Sequence, residues 1–173
     1  GNEANVSIAD LNAIIGLTNQ DAANLAAYQT AIAAVTDKAD LNDVAKIQAL
    51  INTVNTTEAN NAASAAAVNK VSEAAGNSSA ASQVSIADLN AITGLDNEIL
   101  ANLTAYQAAI VEVVNKVDLN DVAKIQTLID SVNTTEANNA ASTAAITKVS
   151  EAATNGNEAN VSIADLNAII GLT

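Results

Sequence analysis

The sequence predicts an all-α protein, built as tandem helical bundles of three to four helices per repeat and arranged as an elongated array. Three observations carry this. A nine-residue marker, Val-Ser-Ile-Ala-Asp-Leu-Asn-Ala-Ile, begins at Val6 and returns at Val84 and at Val161, and self-similarity at a long period is the signature of repeat architectures. Apolar residues recur at spacings of three and four, which is the period of a helix with one buried face. Proline is absent and alternation of period two never persists, so strands have no foothold.

The repeat register is sharp. Gly1 to Thr18 is identical to Gly156 to Thr173, and Val6 to Val84, Tyr28 to Tyr106 and Lys70 to Lys148 all keep a step of 78 residues. From Val84 to Val161 the step is 77, and the missing residue falls in the Gly/Asn-rich stretch after Ala153, where a linker tolerates the loss. These steps divide the chain into a first repeat over 1–83 with a short linker at 1–5, a second over 84–160 with a linker near 154–160, and the first helix of a third over 161–173.

Each repeat reads as four helical segments. The marker opens the first, with Ser7 as N-cap and Asp10 three residues on as its reciprocal partner; Gly16 stops it about three turns later. Ile8, Leu11, Ile14 and Ile15 then share a face. The second segment runs from about Thr18 to Thr36. In the second repeat its stripe is Ile99, Leu103, Tyr106, Ile110 and Val113; in the first, Asp21 replaces the leading Ile, so that turn faces water or caps. Asp40 with Asp43, and Asp118 with Asp121, open the third segment as N-cap and N3, followed by the stripes Val44, Ile47, Ile51, Val54 and Val122, Ile125, Ile129, Val132. Asn55 with Glu58, and Asn133 with Glu136, suggest a further cap before an Ala-rich fourth segment. Its stripe, Ala59, Ala63, Ala67 and Val71, permits close helix approach but buries little area per residue.

Composition sets limits on the core and on partners. Half of the residues are apolar, yet only 1% are aromatic, so Tyr28 and Tyr106 are expected to anchor their local cores. The formal charge of −13 repels phosphate and anionic lipid, which argues against nucleic acid and against membrane insertion as partners. No window approaches the roughly 18 apolar residues of a spanning helix. The absence of Cys and Met, with a bias to Ala, Asn, Thr and Ser, leans towards a secreted surface protein.

Chemistry has little to work with, because His, Cys and Arg are absent and with them the usual bases, thiol nucleophiles and phosphate clamps. The acid pairs Asp40/Asp43 and Asp118/Asp121 read as helix caps favoured by the macrodipole. Asp40-Leu41-Asn42-Asp43 starts like a calcium loop but lacks the Gly such a loop needs. Six Asn-x-Ser/Thr sequons, at Asn5, Asn55, Asn77, Asn102, Asn133 and Asn160, follow from abundance and duplication. Lys46 and Lys124 sit as i, i+3 partners of Asp43 and Asp121 on a solvated face. No catalytic residue, cofactor or metal ligand is expected.

The run Val-Asp-Leu-Asn-Asp-Val-Ala-Lys-Ile-Gln-Thr-Leu-Ile-Asp-Ser-Val-Asn, from Val117 to Asn133, together with the marker, resembles the helical tandem repeats of large bacterial surface adhesins. It is similar to the albumin-binding type of three-helix module. The resemblance implies an exported, repetitive, cell-surface protein; the Ala-rich fourth segment departs from the compact module, and no ligand contact is carried over.

A unit of 77 or 78 residues with a mostly Ala core buries only about 60 to 65% of its unfolded surface and stands to gain from a neighbour. The expectation is therefore a non-enzymatic stretch of an extracellular adhesin stalk or filament, whose partners are adjacent copies of the same repeat. The alternative is a binding module contacting a host or neighbouring surface protein. Ile163, Leu166 and Ile169, on a helix begun without the rest of its repeat, are the candidate inter-repeat or inter-subunit packing residues.

Overall fold

The computed structural model describes residues 3–172, apart from the side chain of Lys38. All regular structure among them is helical. The α-helices are α1 (Ile8–Asn12), α2 (Leu25–Ala34), α3 (Val44–Ala74), α4 (Ser78–Ala81), α5 (Ile86–Asn90), α6 (Leu103–Glu112), α7 (Val122–Asn155) and α8 (Ile163–Asn167), with short 3-10 turns between several of them. Two compact units result, Gly1–Ala65 and Ala66–Thr173. Their boundary falls inside α3, whereas the marker that opens the second sequence repeat begins 18 residues later, at Val84.

In the first unit α1, α2 and the beginning of α3 enclose Leu11, Leu17, Tyr28, Ile51 and Val54. In the second, α5, α6 and the beginning of α7 enclose the matching Leu89, Leu95, Tyr106, Ile129 and Val132, and the core continues through Ala67, Val71 and Ala74 of α3 and the adjoining Ala75. Both tyrosines are fully buried, as their isolation in an aromatic-poor chain leads one to expect.

The long helices overturn the four-segment reading. No cap intervenes at Asn55 or Asn133, and the third and fourth segments are one helix in each repeat. Neither α3 nor α7 holds a Gly or Pro before its end, so nothing breaks the ladder. The Thr-rich middle stays helical because its hydroxyls bond back one turn, Thr53 Oγ1 to Ala49 O (2.9 Å) and Thr57 Oγ1 to Thr53 O (3.0 Å). The Ala stripe also shifts: Ala59 and Ala63 are exposed, and the buried line is Ser64, Ala67, Val71 and Ala74.

Other boundaries differ for local reasons. The marker forms a capping box as expected, but its helix lasts only five residues before a turn in which Gly16 takes φ +89°, a left-handed geometry favourable to glycine. The second α-helix starts at Leu25, after Asn19 at φ +62° and a 3-10 turn capped by Asp21; asparagine tolerates that conformation better than most residues. Ile99 stands outside the helical stripe, as the residue capping the equivalent turn, and is 46% exposed. Asp43, not Asp40, caps α3 by accepting the Lys46 N–H (2.9 Å), and Asp121 caps α7 likewise. Asp40 and Asp118 lie one turn earlier, in the 3-10 turns Lys38–Leu41 and Lys116–Leu119.

Candidate interaction site

The geometry of the marker is the same three times. Ser7 accepts from the Asp10 N–H while its own N–H and hydroxyl donate to Asp10 Oδ2 (2.8 and 2.6 Å). Ser85 with Asp88, and Ser162 with Asp165, repeat the box. What differs is the next partner. Lys70 Nζ reaches Asp88 Oδ2 at 2.6 Å and Lys148 Nζ reaches Asp165 Oδ2 at 2.7 Å, each from the helix segment that precedes its marker. Asp10 is bonded to Ser7 alone among the described residues.

The electrostatics follow this difference. The Ser7 hydroxyl, with its N–H, holds the Asp10 carboxyl below the usual range. At Asp88 partial burial pushes upwards, and the bonds from Lys70 and Ser85 outweigh it, so the net displacement is downward. Asp165 is lowered furthest, chiefly by Lys148 and then by Ser162. Each is a carboxylate whose charged form is stabilised by donors aimed at it.

Beside Asp10 lies an apolar groove of about 240 Å³, lined by Val6, Leu11, Ile14, Ile32, Leu41 and Ile47 and floored by Ile51. In the second unit the same positions are shut. Val84, Ile92, Ile110, Leu119 and Ile125 are no more than 2% exposed, whereas Val6, Ile14, Ile32, Leu41 and Ile47 are all half-buried. The core of the second unit also takes in the end of α3 and the chain just after it: Ala67, Val71, Ala74, Ala75 and Ala81 of α4 join that core, Ser72 Oγ donates to Lys116 O (2.9 Å), and Lys116 pairs with Glu73. A stripe of small residues lets this helix close on the groove, as its composition anticipates.

A polar node fixes the loop that precedes α2 and its counterpart before α6. Tyr28 Oη donates to Asn55 Oδ1 (2.5 Å) and accepts the Asp21 N–H (2.9 Å), while Asn55 Nδ2 donates to Asn19 O (2.8 Å) and Asn24 Nδ2 to Asn55 Oδ1 (2.9 Å). Tyr106, Asn133, Asn97 and Asn102 reproduce it. Gln48 clamps the N–H and the carbonyl of Thr18 (2.8 and 2.9 Å), and Gln126 does the same to Asp96. Sequence reasoning made Asn55 and Asn133 helix caps and gave the other amides no role; the signal was their exact retention at the 78-residue step.

Asn55, Asn102 and Asn133 spend their side chains in the node, which removes them as exposed glycan acceptors, and Asn77 caps α4; Asn5 and Asn160 are exposed. Lys46 and Lys124 are more than solvated partners, since each donates to the carbonyl of the preceding 3-10 turn, Ala39 O (2.5 Å) and Val117 O (2.7 Å). Lys124 also pairs with Asp121 at 3.3 Å. Ile163 is 73% exposed, Leu166 and Ile169 are half-buried, and the neighbouring Ile170 N–H donates to the buried Ser142 Oγ (3.0 Å). Among the described residues no cluster of acidic side chains could hold a metal ion, and no helix is long and apolar enough to cross a membrane.

No family model, no curated protein and no solved structure matches this chain.

Proposed function

We propose that the chain is a structural, non-enzymatic stretch of a tandem array, serving as part of an extracellular adhesin stalk or surface filament. One observation carries the reading. The core that follows the second marker is completed by the helix that precedes it, as Ala67, Val71 and Ala74 join the core around Leu89 and Tyr106. A repeat unit that borrows its cover from its predecessor is made for serial stacking, the arrangement in which stability is a sum of unit and neighbour contributions.

The surface supports the same role. With 19 acidic residues against six lysines and no His, Cys or Arg, it offers little for catalysis and repels anionic macromolecules. The array supplies length and spacing. Small-angle scattering of chains with two, four and six repeats tests this: the maximum dimension should grow in proportion to repeat number, and a globule of constant aspect would overturn it.

A further inference from the structure

We infer that residues 59–63 of α3 and 137–141 of α7, both Ala-Asn-Asn-Ala-Ala, are compliant links: they leave the helix ahead of its packed parts and let the chain lengthen under load. The local opening stands on its own observations; its use under load rests on the array reading.

Three features carry this. First, every residue of both stretches is exposed. Such a run passes more than once round a helix of about 3.6 residues per turn, so among the described residues no neighbouring element covers any side of it. The stretch in α3 has a whole repeat after it and the stretch in α7 a whole repeat before it, yet both are bare, so neither neighbour is their cover. Second, these residues hold a helix poorly by themselves. Asn is among the weaker helix formers, because its amide competes for nearby backbone groups. No Lys stands within four residues of Glu58 or Glu136 to add an ion pair along the helix. The run between the buried Val54 and Ser64, like that between Val132 and Ser142, is shorter than the roughly 12–15 residues an isolated helix needs in water.

Third, each run is held on both sides. Asn55 and Asn133 are tied to Tyr28 and Tyr106, and Ala67 and Ala145 are buried further along. Opening between such anchors brings little apolar surface into water that is not there already, and water replaces the broken backbone bonds. The gain in length follows from geometry. A helical residue advances about 1.5 Å and an extended one about 3.3–3.6 Å, so each stretch that opens adds about 10 Å while the cores stay closed.

Native-state hydrogen exchange of the full chain, read by NMR, tests the opening. The amides of residues 60–63 and 138–141 should exchange at least about tenfold faster than those of Ile51 and Ile129 in the same helices, at rates insensitive to dilute urea, because little surface is exposed. Asn60→Ala combined with Asn61→Ala should slow exchange at 60–63 about threefold to tenfold, leaving Ile51 and residues 138–141 unchanged. Equal protection along α3, or no response to the paired substitution, would overturn the inference. Magnetic tweezers test the lengthening: held by its ends, the chain should extend reversibly by about 20 Å for the two stretches before either core unfolds. Cores that give way first would overturn the use under load. Neither readout depends on how length scales with repeat number, so this inference and the array reading fail separately.

Discussion

The first and second units carry nearly the same residues at the same steps, yet one core is open along a groove and the other is sealed. Leu11 and Leu89, Tyr28 and Tyr106, Ile51 and Ile129 are buried alike; Ile47 and Ile125 are not. The contrast teaches that the repeat is self-sufficient at its centre and dependent at its margin. Centre and margin also use different forces. The Tyr–Asn node and the capping box are internal to each unit and identical in both, while the margin is apolar and is closed by small side chains from the preceding helix.

The largest expected effect would break that comparison directly. Ile125→Ala, in the sealed core, should destabilise its unit by about 2–4 kcal/mol through lost transfer energy and the cavity left behind. Ile47→Ala, at the open groove, should cost roughly half as much, since the side chain is already partly in water. Hydrogen exchange of the α6 and α2 amides resolves the two units; equal losses would remove the distinction. Next in size, Asn133→Ala and Asn55→Ala should each cost about 1–3 kcal/mol by orphaning the tyrosine hydroxyl and the loop carbonyl. Here the two units should respond alike, because the node does not touch the groove. Tyrosine fluorescence in chains retaining only one of the two tyrosines reads each unit separately.

Smaller effects sharpen the margin. Gly76 ends α3 at φ +68° with only the Val113 and Val114 carbonyls nearby, at 3.6 and 3.9 Å. Gly76→Ala should therefore cost about 1 kcal/mol from the left-handed backbone, without a clash, seen as a lower midpoint in urea. The smallest effect is electrostatic. Asp88 is held below its ordinary value, so the stability it contributes is present above about pH 4 and lost as pH falls through the lowered value. Lys70→Ala should remove part of that acid-sensitive stability, less than about 1 kcal/mol given that Lys70 is 40% exposed. Asp10, held by Ser7 alone, should show no change on adding salt at pH 6, while Asp88 should lose some of its advantage.

Much of this was legible in the residues. The capping box needed only Ser and Asp three apart, and the buried tyrosines needed only their scarcity. The helix boundaries were less so. Asn55 looked like a cap because Asn and Thr favour caps when nothing competes; here the node claims the Asn and back-bonding absorbs the threonines. The sequence period also hid the unit boundary, since duplication sets the first and packing sets the second. The groove could not be read at all from one repeat, because it appears only when the two cores are laid side by side.

That difference of phase between period and unit has a genetic consequence. Because the core after the second marker is finished by residues lying before it, gain or loss of one whole period by unequal recombination would leave the helix matched to its groove, wherever in the period the crossover falls. A crossover out of register would expose a bare helix and an empty groove together. In the tandem array we propose, length should thus vary in integer steps of the period.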